Sequence, residues 1–386
     1  MEGASAAPLI KKTIFISAGE QSGEMHGGEL IKELRLACSG VKLDITGLGG
    51  DQMKAQGVKL LYDINSLAAV GIIDVAKKYG FFRNVLNDCL KFVKENQPDA
   101  VILIDYPGFN LKFAEELRRF YSGKIIYYIS PQIWAWRESR VHKIRKYIDK
   151  MLVVFPFEVE FYEKFGVAAE YVGHPLVKRI RKFLDENKKN LHSDGKRKVI
   201  TILPGSRFNE IKNHLPVLLK TVKELKREFD IEVNISKAPS VERRAFDKYL
   251  IKMEGCNLVS GGTYELILNS DLVMSKAGTS TLECALIGTP HFIFLRTAPI
   301  NYLLMKPIVN INNIGIVNII AKENIIKEFI QNDFKAANLA LESKKLLTDA
   351  GYRNELKSKL RRVWDILGDK DASLNAAETI KNLALN

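Results

Sequence analysis

The chain of 386 residues contains no unbroken apolar run of about 18 residues, so a membrane-spanning helix is not expected. Its first residues, 1–8, are small and nearly neutral, and Lys11 and Lys12 follow rather than precede any apolar core. That order is wrong for a secretory signal, and a cytoplasmic location is expected. Cysteine is scarce: Cys38, Cys89, Cys256 and Cys284 are widely separated and form no CxxC or Cys/His ligand pattern, which argues against a disulfide framework and a thiolate metal site. There is no GxGxxG fingerprint, no internal repeat and no low-complexity tract. The only DxD is Asp369-Lys370-Asp371, far from any expected strand end, and it reads as the start of a helix.

Positive charge is abundant. The formal net charge is +13, and between Lys77 and Lys150 there are 15 Lys/Arg against 8 Asp/Glu. Aromatic residues are not interleaved with this excess and no nucleic-acid-binding signature accompanies it, so an anionic membrane or phosphorylated substrates are the expected partners rather than nucleic acid. Hydrophobic residues make up 46% of the chain, enough to fill two cores.

Short β-branched runs alternate with helical stretches. Strands are expected at 13–17, 42–46, 100–105, 125–129 and 151–155, then at 199–203, 231–235, 272–274 and 291–295. Such alternation implies α/β architecture with parallel sheets covered on both faces. The charge-dense stretch from Lys178 to Lys198, ending Ser-Asp-Gly before the second series, reads as a linker. Two doubly wound halves would then leave a ligand cleft between domains.

Several strand ends carry chemistry-bearing residues. Gly19 to Gly28, including Ser22 and Gly23, forms the first strand-to-helix turn, where backbone N–H groups favour an anion; a plain tight turn is the alternative. Asp105 ends a continuous apolar run, where a carboxylate could take a proton from an attacking hydroxyl or merely cap a helix. Gly205, Ser206 and Arg207 end the first strand of the second half, a setting suited to a diphosphate, with a solvated arginine as the alternative. Gly278, Thr279 and Ser280 open a helix fit for phosphate, and Glu283 one turn on could reach ribose hydroxyls or serve as a capping glutamate. Trp134 and Trp136 beside Arg137 suit either ligand stacking or core packing. In 70–86, Val70, Ile72, Ile73, Phe81 and Phe82 are interspersed with cations, as in a membrane-inserting segment or an ordinary core helix.

Taken in order, AGEQSGEMHGG, LGGDQM, VGIIDV, PDAVILIDYPGFNL, YYISPQIWAWRESRVHKI, FPFEVEFYEKFGV, VGHPL, LPGSRFNEI, KAGTSTLECAL and IVNII resemble the lipid-A-disaccharide synthase family along nearly the whole chain. SPxxWAWR followed by FPFE and GHP carries most of that resemblance. It implies a GT-B fold, two doubly wound Rossmann-like domains facing a cleft, with an acceptor and membrane-docking domain over 1–184. A UDP-sugar-binding domain would span 195–370, and a helix over 371–386 would return to the first domain.

The implied reaction is an inverting, metal-independent glycosyl transfer without a cofactor. UDP-2,3-diacylglucosamine would donate its sugar to 2,3-diacylglucosamine 1-phosphate in a β-1′,6 linkage at the inner face of the inner membrane. On the same resemblance Asp105 is the base and Arg207 stabilises the diphosphate. Gly19, Ser22, Gly23, Gly205, Ser206, Gly278, Thr279, Ser280, Glu283 and Asn318 bind substrate or UDP. Val70, Ile72, Ile73, Phe81 and Phe82 contribute the membrane surface, and a homodimer is compatible. The chain departs from the family pattern at Glu24 (usually Asp), Gly108 (usually Asp) and Lys276-Ala277 (usually small-Ser). Competing readings are another UDP-sugar enzyme of the same fold and a catalytically silent lipid-binding relative.

Overall fold

The computed structural model describes residues 10–64, 75–187, 197–251, 255–297 and 313–385, with the backbone alone over 75–79. Two compact units divide the chain: Met1–Pro175 together with Asp369–Asn386, and Leu176–Gly368.

The first unit holds a parallel sheet of β1 (Ile10–Ala18), β2 (Val41–Gly49), β3 (Lys59–Asp63), β4 (Ala100–Ile104), β5 (Lys124–Tyr128), β6 (Lys150–Val153) and β7 (Ala169–Tyr171), in the order β3-β2-β1-β4-β5-β6-β7. The strand order reverses between β1 and β4, whose ends align as Ala18 opposite Ile104. Every residue of β4 is buried, as its unbroken apolar sequence requires for a strand covered on both faces. Helix Pro107–Leu117 follows β4 and sets Phe113 against Phe15 of β1, ring centroids 5.3 Å apart. The helix Ala372–Ile380, N-capped by Asp371, belongs to this unit. It packs on helix Gln21–Ala37, and its Asn375 and Thr379 bond to Val172 O and Glu170.

The second unit repeats the plan with β8 (Lys198–Leu203), β9 (Ile231–Lys237), β10 (Cys256–Ser260), β11 (Leu272–Lys276), β12 (His291–Leu295) and β13 (Glu328–Ile330), in the order β10-β9-β8-β11-β12-β13. Its reversal lies between β8 and β11, where Leu203 pairs with Ser275. Among the described residues no helix is long and apolar enough to cross a membrane.

Two expectations change. The supposed linker is helix Pro175–Glu186 over its first half, because Val177 and Ile180 recur on one buried face while the charges occupy the other; Pro175 suits the first helical position. Residues 188–196 lie outside the described set. The four strands that periodicity did not single out, β3, β7, β10 and β13, are the four sheet edges, where half-exposed residues replace the apolar runs of the centre.

Phe113 joins the core to the helix that begins at the Asp105 turn. Phe113→Ala should cost about 3–5 kcal/mol in denaturant unfolding. A loss below about 1 kcal/mol would mean that this ring is not a principal element of the first core.

Candidate active site

In both units the candidate residues fall at the carboxyl ends of strands flanking the reversal point, where open α/β sheets bind ligands. In the first unit, Asp105 and Tyr106 follow β4 with φ of +45° and +50°, a left-handed pair that aspartate tolerates and a bulky tyrosine disfavours. Asn110, fully buried, holds them there. Its Nδ2 donates to Asp105 O at 2.7 Å and Ile104 O at 3.2 Å, while its Oδ1 accepts from Ser17 Oγ at 2.7 Å. The Tyr127 hydroxyl also donates to Asp105 O. Gly19 closes the turn from β1: a Cβ there would lie 2.1 Å from the Tyr106 ring, so only glycine allows this approach.

The Asp105 carboxyl is half-buried and its pKa is raised to about 6. Burial is the main cause and the Glu20 carboxylate adds to it, against the Tyr106 N–H and His26, which pull it down. A carboxylate tuned this close to neutrality is suited to proton abstraction. Gly23 is buried beneath the turn and Ser22 is exposed at the start of helix Gln21–Ala37. Glu24, where the family usually has aspartate, is buried and accepts from Gln52 N at 3.2 Å, a contact that serves the fold.

In the second unit a cavity of about 460 Å³ is lined from the ends of four neighbouring strands. Leu203 to Arg207 follow β8, Ser236 to Pro239 lie at the end of β9, Gly261 and Thr263 follow β10, and Lys276 with Gly278, Thr279 and Ser280 follow β11. Gly205 (φ +121°) makes the first turn, and a Cβ there would lie 2.3 Å from Glu210 Oε2. Glu210 organises the floor. It accepts from Ser206 N at 2.8 Å, pairs with Lys276 Nζ at 3.1 Å and lies 3.6 Å from Arg207 Nη1. Burial alone would raise its pKa, but Lys276 and the other donors outweigh burial and hold it below the usual carboxylate range.

Arg207, Lys237 and Lys276 against the single carboxylate of Glu210 leave the lining cationic. Arg207 is 80% exposed and able to swing toward a bound anion. The helix Thr279–Ile287 begins at the cavity, its first N–H groups adding positive potential. Buried His214 braces the first turn: burial keeps the ring neutral, Nδ1 is 2.9 Å from Pro204 O, and Nε2 accepts from Arg296 N at 3.2 Å. An oxygen-rich anion of diphosphate size fits this chemistry.

Glu283, Asn318, Phe81 and Phe82 do not line this cavity. Glu283 is half-buried, bonded to the Tyr264 hydroxyl at 3.3 Å, and does not line the cavity formed by the described residues. Asn318 is buried and spent on the fold: its Nδ2 donates to Ile326 O and Glu328, and its Oδ1 accepts from Ile326 N. Phe81 and Phe82 are half-buried and pack against the first unit's core, Phe81 edge-on to Tyr62, whereas Val70, Ile72 and Ile73 lie outside the described residues. The two tryptophans part company. Trp134 donates to Glu158 at 3.0 Å and packs on Phe157, while Trp136 is 40% exposed with the Arg137 and Arg140 guanidiniums over its ring.

Among the described residues no cluster of three His, Cys, Asp or Glu side chains could hold a metal. Sequence reasoning missed Asn110, Tyr127, Lys237 and His214 as parts of the two sites. Asn110 alone gave a signal, an asparagine five residues after a strand-end acid.

Against known proteins, the profile of the family described as lipid-A-disaccharide synthetase matches residues 14–380. The chain belongs to the lipid-A-disaccharide synthase family. The lipid-A-disaccharide synthase of Geobacter sulfurreducens is 37% identical over 370 residues, covering 94% of this chain and 95% of that one. Lipid-A-disaccharide synthase 1 of Legionella pneumophila (strain Philadelphia 1) is 32% identical, covering 95% and 96%. Among solved structures, a putative UDP-N-acetylglucosamine 2-epimerase from Listeria monocytogenes superposes with a TM-score of 0.65 at 14% identity, covering 97% of this chain and 96% of that one. CalG4, the calicheamicin glycosyltransferase, gives 0.56 at 12%, covering 97% and 98%. The fold is therefore GT-B, and the family's activity is glycosyl transfer in lipid A synthesis.

The raised pKa of Asp105 has a stability consequence. A carboxyl that holds its proton more tightly in the folded state stabilises the fold at low pH, and this contribution is lost as pH rises from about 4 through about 6. Asp105→Asn should therefore be more stable than the wild type at pH 8, by roughly 1–2 kcal/mol after discounting for partial exposure, and show little gain at pH 4. Equal melting temperatures at pH 8 would contradict a destabilised carboxylate.

Proposed function

We propose that the chain transfers 2,3-diacylglucosamine from UDP-2,3-diacylglucosamine to the 6-hydroxyl of 2,3-diacylglucosamine 1-phosphate, inverting the anomeric carbon to a β-1′,6 linkage and releasing UDP. The observation that carries the reading is the Asp105 carboxyl, pushed up to about 6 on a strained turn at the reversal point of the first sheet. Asp105 takes the proton of the acceptor hydroxyl as that oxygen bonds to the anomeric carbon. The bond from that carbon to the diphosphate breaks, and its electron pair leaves with UDP.

Charge developing on the departing diphosphate meets Arg207, Lys276 and the start of helix Thr279–Ile287, with Gly205, Ser206, Gly278, Thr279 and Ser280 shaping the seat. Gly19, Ser22 and Gly23 border the acceptor beside Asp105. These groups supply the electrostatic help that a metal gives elsewhere, so the proposed mechanism is metal-independent. Glu283 and Asn318 act by supporting the second unit's fold. Because both substrates carry acyl chains, the net charge of +13 fits peripheral association with the anionic cytoplasmic face of the inner membrane. The stretch 70–86 contributes the apolar contact, and a homodimer is compatible with this reading.

The test is turnover of labelled donor and its 1-phosphate acceptor by purified protein, with and without chelator. Disaccharide in both conditions supports the reading; product lost only with chelator overturns the metal-independent account, and no product from folded protein overturns the assignment. Asp105→Asn should lower kcat by at least about a thousandfold with UDP affinity within twofold. Arg207→Ala should weaken UDP binding by about tenfold or more. Near-normal turnover by Asp105→Asn would require a different base.

A further inference from the structure

Beyond Asp105, the first unit carries a cationic feature of its own after β5, the strand paired with β4. The segment after β5 is locked by Glu158, a fully buried carboxyl that accepts from Ser130 Oγ at 2.5 Å, Trp134 Nε1 at 3.0 Å, Phe155 N at 3.0 Å and Val154 N at 3.2 Å. Ile133 and Ala135 are buried beneath it. From this fixed base the chain turns through Arg137 at φ +61°, and the 40% exposed Trp136 has two guanidiniums beside its ring, Arg137 Cζ 4.9 Å and Arg140 Cζ 5.7 Å from its centre.

Among the described residues neither guanidinium has an ion-pair partner, although Glu138 sits between them in sequence. Two cations held side by side on one ring without a counter-charge repel each other, and an anion with several oxygens would relieve that cost. Burial and the nearby Arg137 both lower the pKa of Arg140. The segment follows β5, the strand paired with β4 where Ile104 lies opposite Tyr128, and Tyr127 of β5 donates its hydroxyl to Asp105 O.

We propose that Trp136, Arg137 and Arg140 form the seat of the acceptor sugar's phosphate monoester, at the end of that sugar remote from the hydroxyl that meets Asp105. The proposal rests on the glycosyl-transfer reading above. The ligand chemistry is a phosphate monoester on a hexosamine: Arg137 and Arg140 take the phosphate oxygens, and the exposed Trp136 ring borders the sugar.

The test compares the wild type with R137A/R140A and R140K in two arms. By calorimetry, the wild type should bind soluble glucosamine 1-phosphate at least tenfold more tightly than glucosamine. R137A/R140A should lose that preference while keeping its melting temperature and its UDP affinity within twofold. In turnover, removing the acceptor's 1-phosphate should cost the wild type about 10- to 100-fold in kcat/KM and the double variant less than threefold, with R140K between. A double variant that still prefers the phosphorylated ligand in both arms overturns the proposal. Loss of pelleting with phosphatidylglycerol vesicles alone, with the preference intact, also overturns it and assigns the arginines to lipid headgroups. If the wild type binds glucosamine 1-phosphate through these arginines but makes no disaccharide, the seat stands and the proposed reaction fails.

Discussion

The geometry of the first unit depends on the buried side-chain amide of Asn110. From the first turns of one helix it reaches both strands at the reversal of the sheet, bonding Ser17 on β1 and the carbonyls of Ile104 and Asp105 at the end of β4. These bonds satisfy backbone oxygens that a strand leaves unpaired as it ends, and they hold two consecutive residues in left-handed backbone. The turn lifts the Asp105 carboxyl out of its strand, leaves it half-covered and puts Glu20 within electrostatic reach. The unusual proton affinity of Asp105 therefore begins with an amide network in the fold. The absence of a Cβ at Gly19 is the other half of the arrangement, because the Tyr106 ring occupies that space.

The second unit meets a different demand with the same topology. There a carboxylate, Glu210, is surrounded by donors and kept ionised, in contrast to Asp105. It fixes the Gly205-Ser206 turn and gathers Lys276 and Arg207 at the cavity floor. Lys276, one of the departures from the family pattern, which has a small residue there, has a defined partner at 3.1 Å. The two carboxylates thus differ because burial, reinforced by a neighbouring acid, prevails at Asp105, whereas cations and N–H donors outweigh burial at Glu210.

The sequence made the sheet centres readable and left their edges obscure. β4 reads as a strand because it is apolar throughout and buried on both faces, whereas β7 is Ala-Glu-Tyr and β13 Glu-Phe-Ile, too short and polar for periodicity to register. Asp105, Gly205 and Thr279 stood out as candidates because glycines, hydroxyls and charges at strand ends have few structural reasons to be there. Asn318 is the reverse case. A motif position carries no mark of whether its amide faces a ligand or, as here, closes a hydrogen-bond set with Ile326 and Glu328. Lys237 and His214 were invisible because only the folded sheet brings β9 and the helix Phe208–Leu225 to the same turn.

The central claim is that a strained, half-buried Asp105 is the proton acceptor, and the pH dependence of kcat/KM tests it most directly. The account predicts a limb that rises about tenfold per pH unit at low pH, bends near pH 6 and is absent from Asp105→Asn. A profile that is flat from pH 4.5 to 8 in the wild type, or a limb that survives in Asp105→Asn, would contradict it.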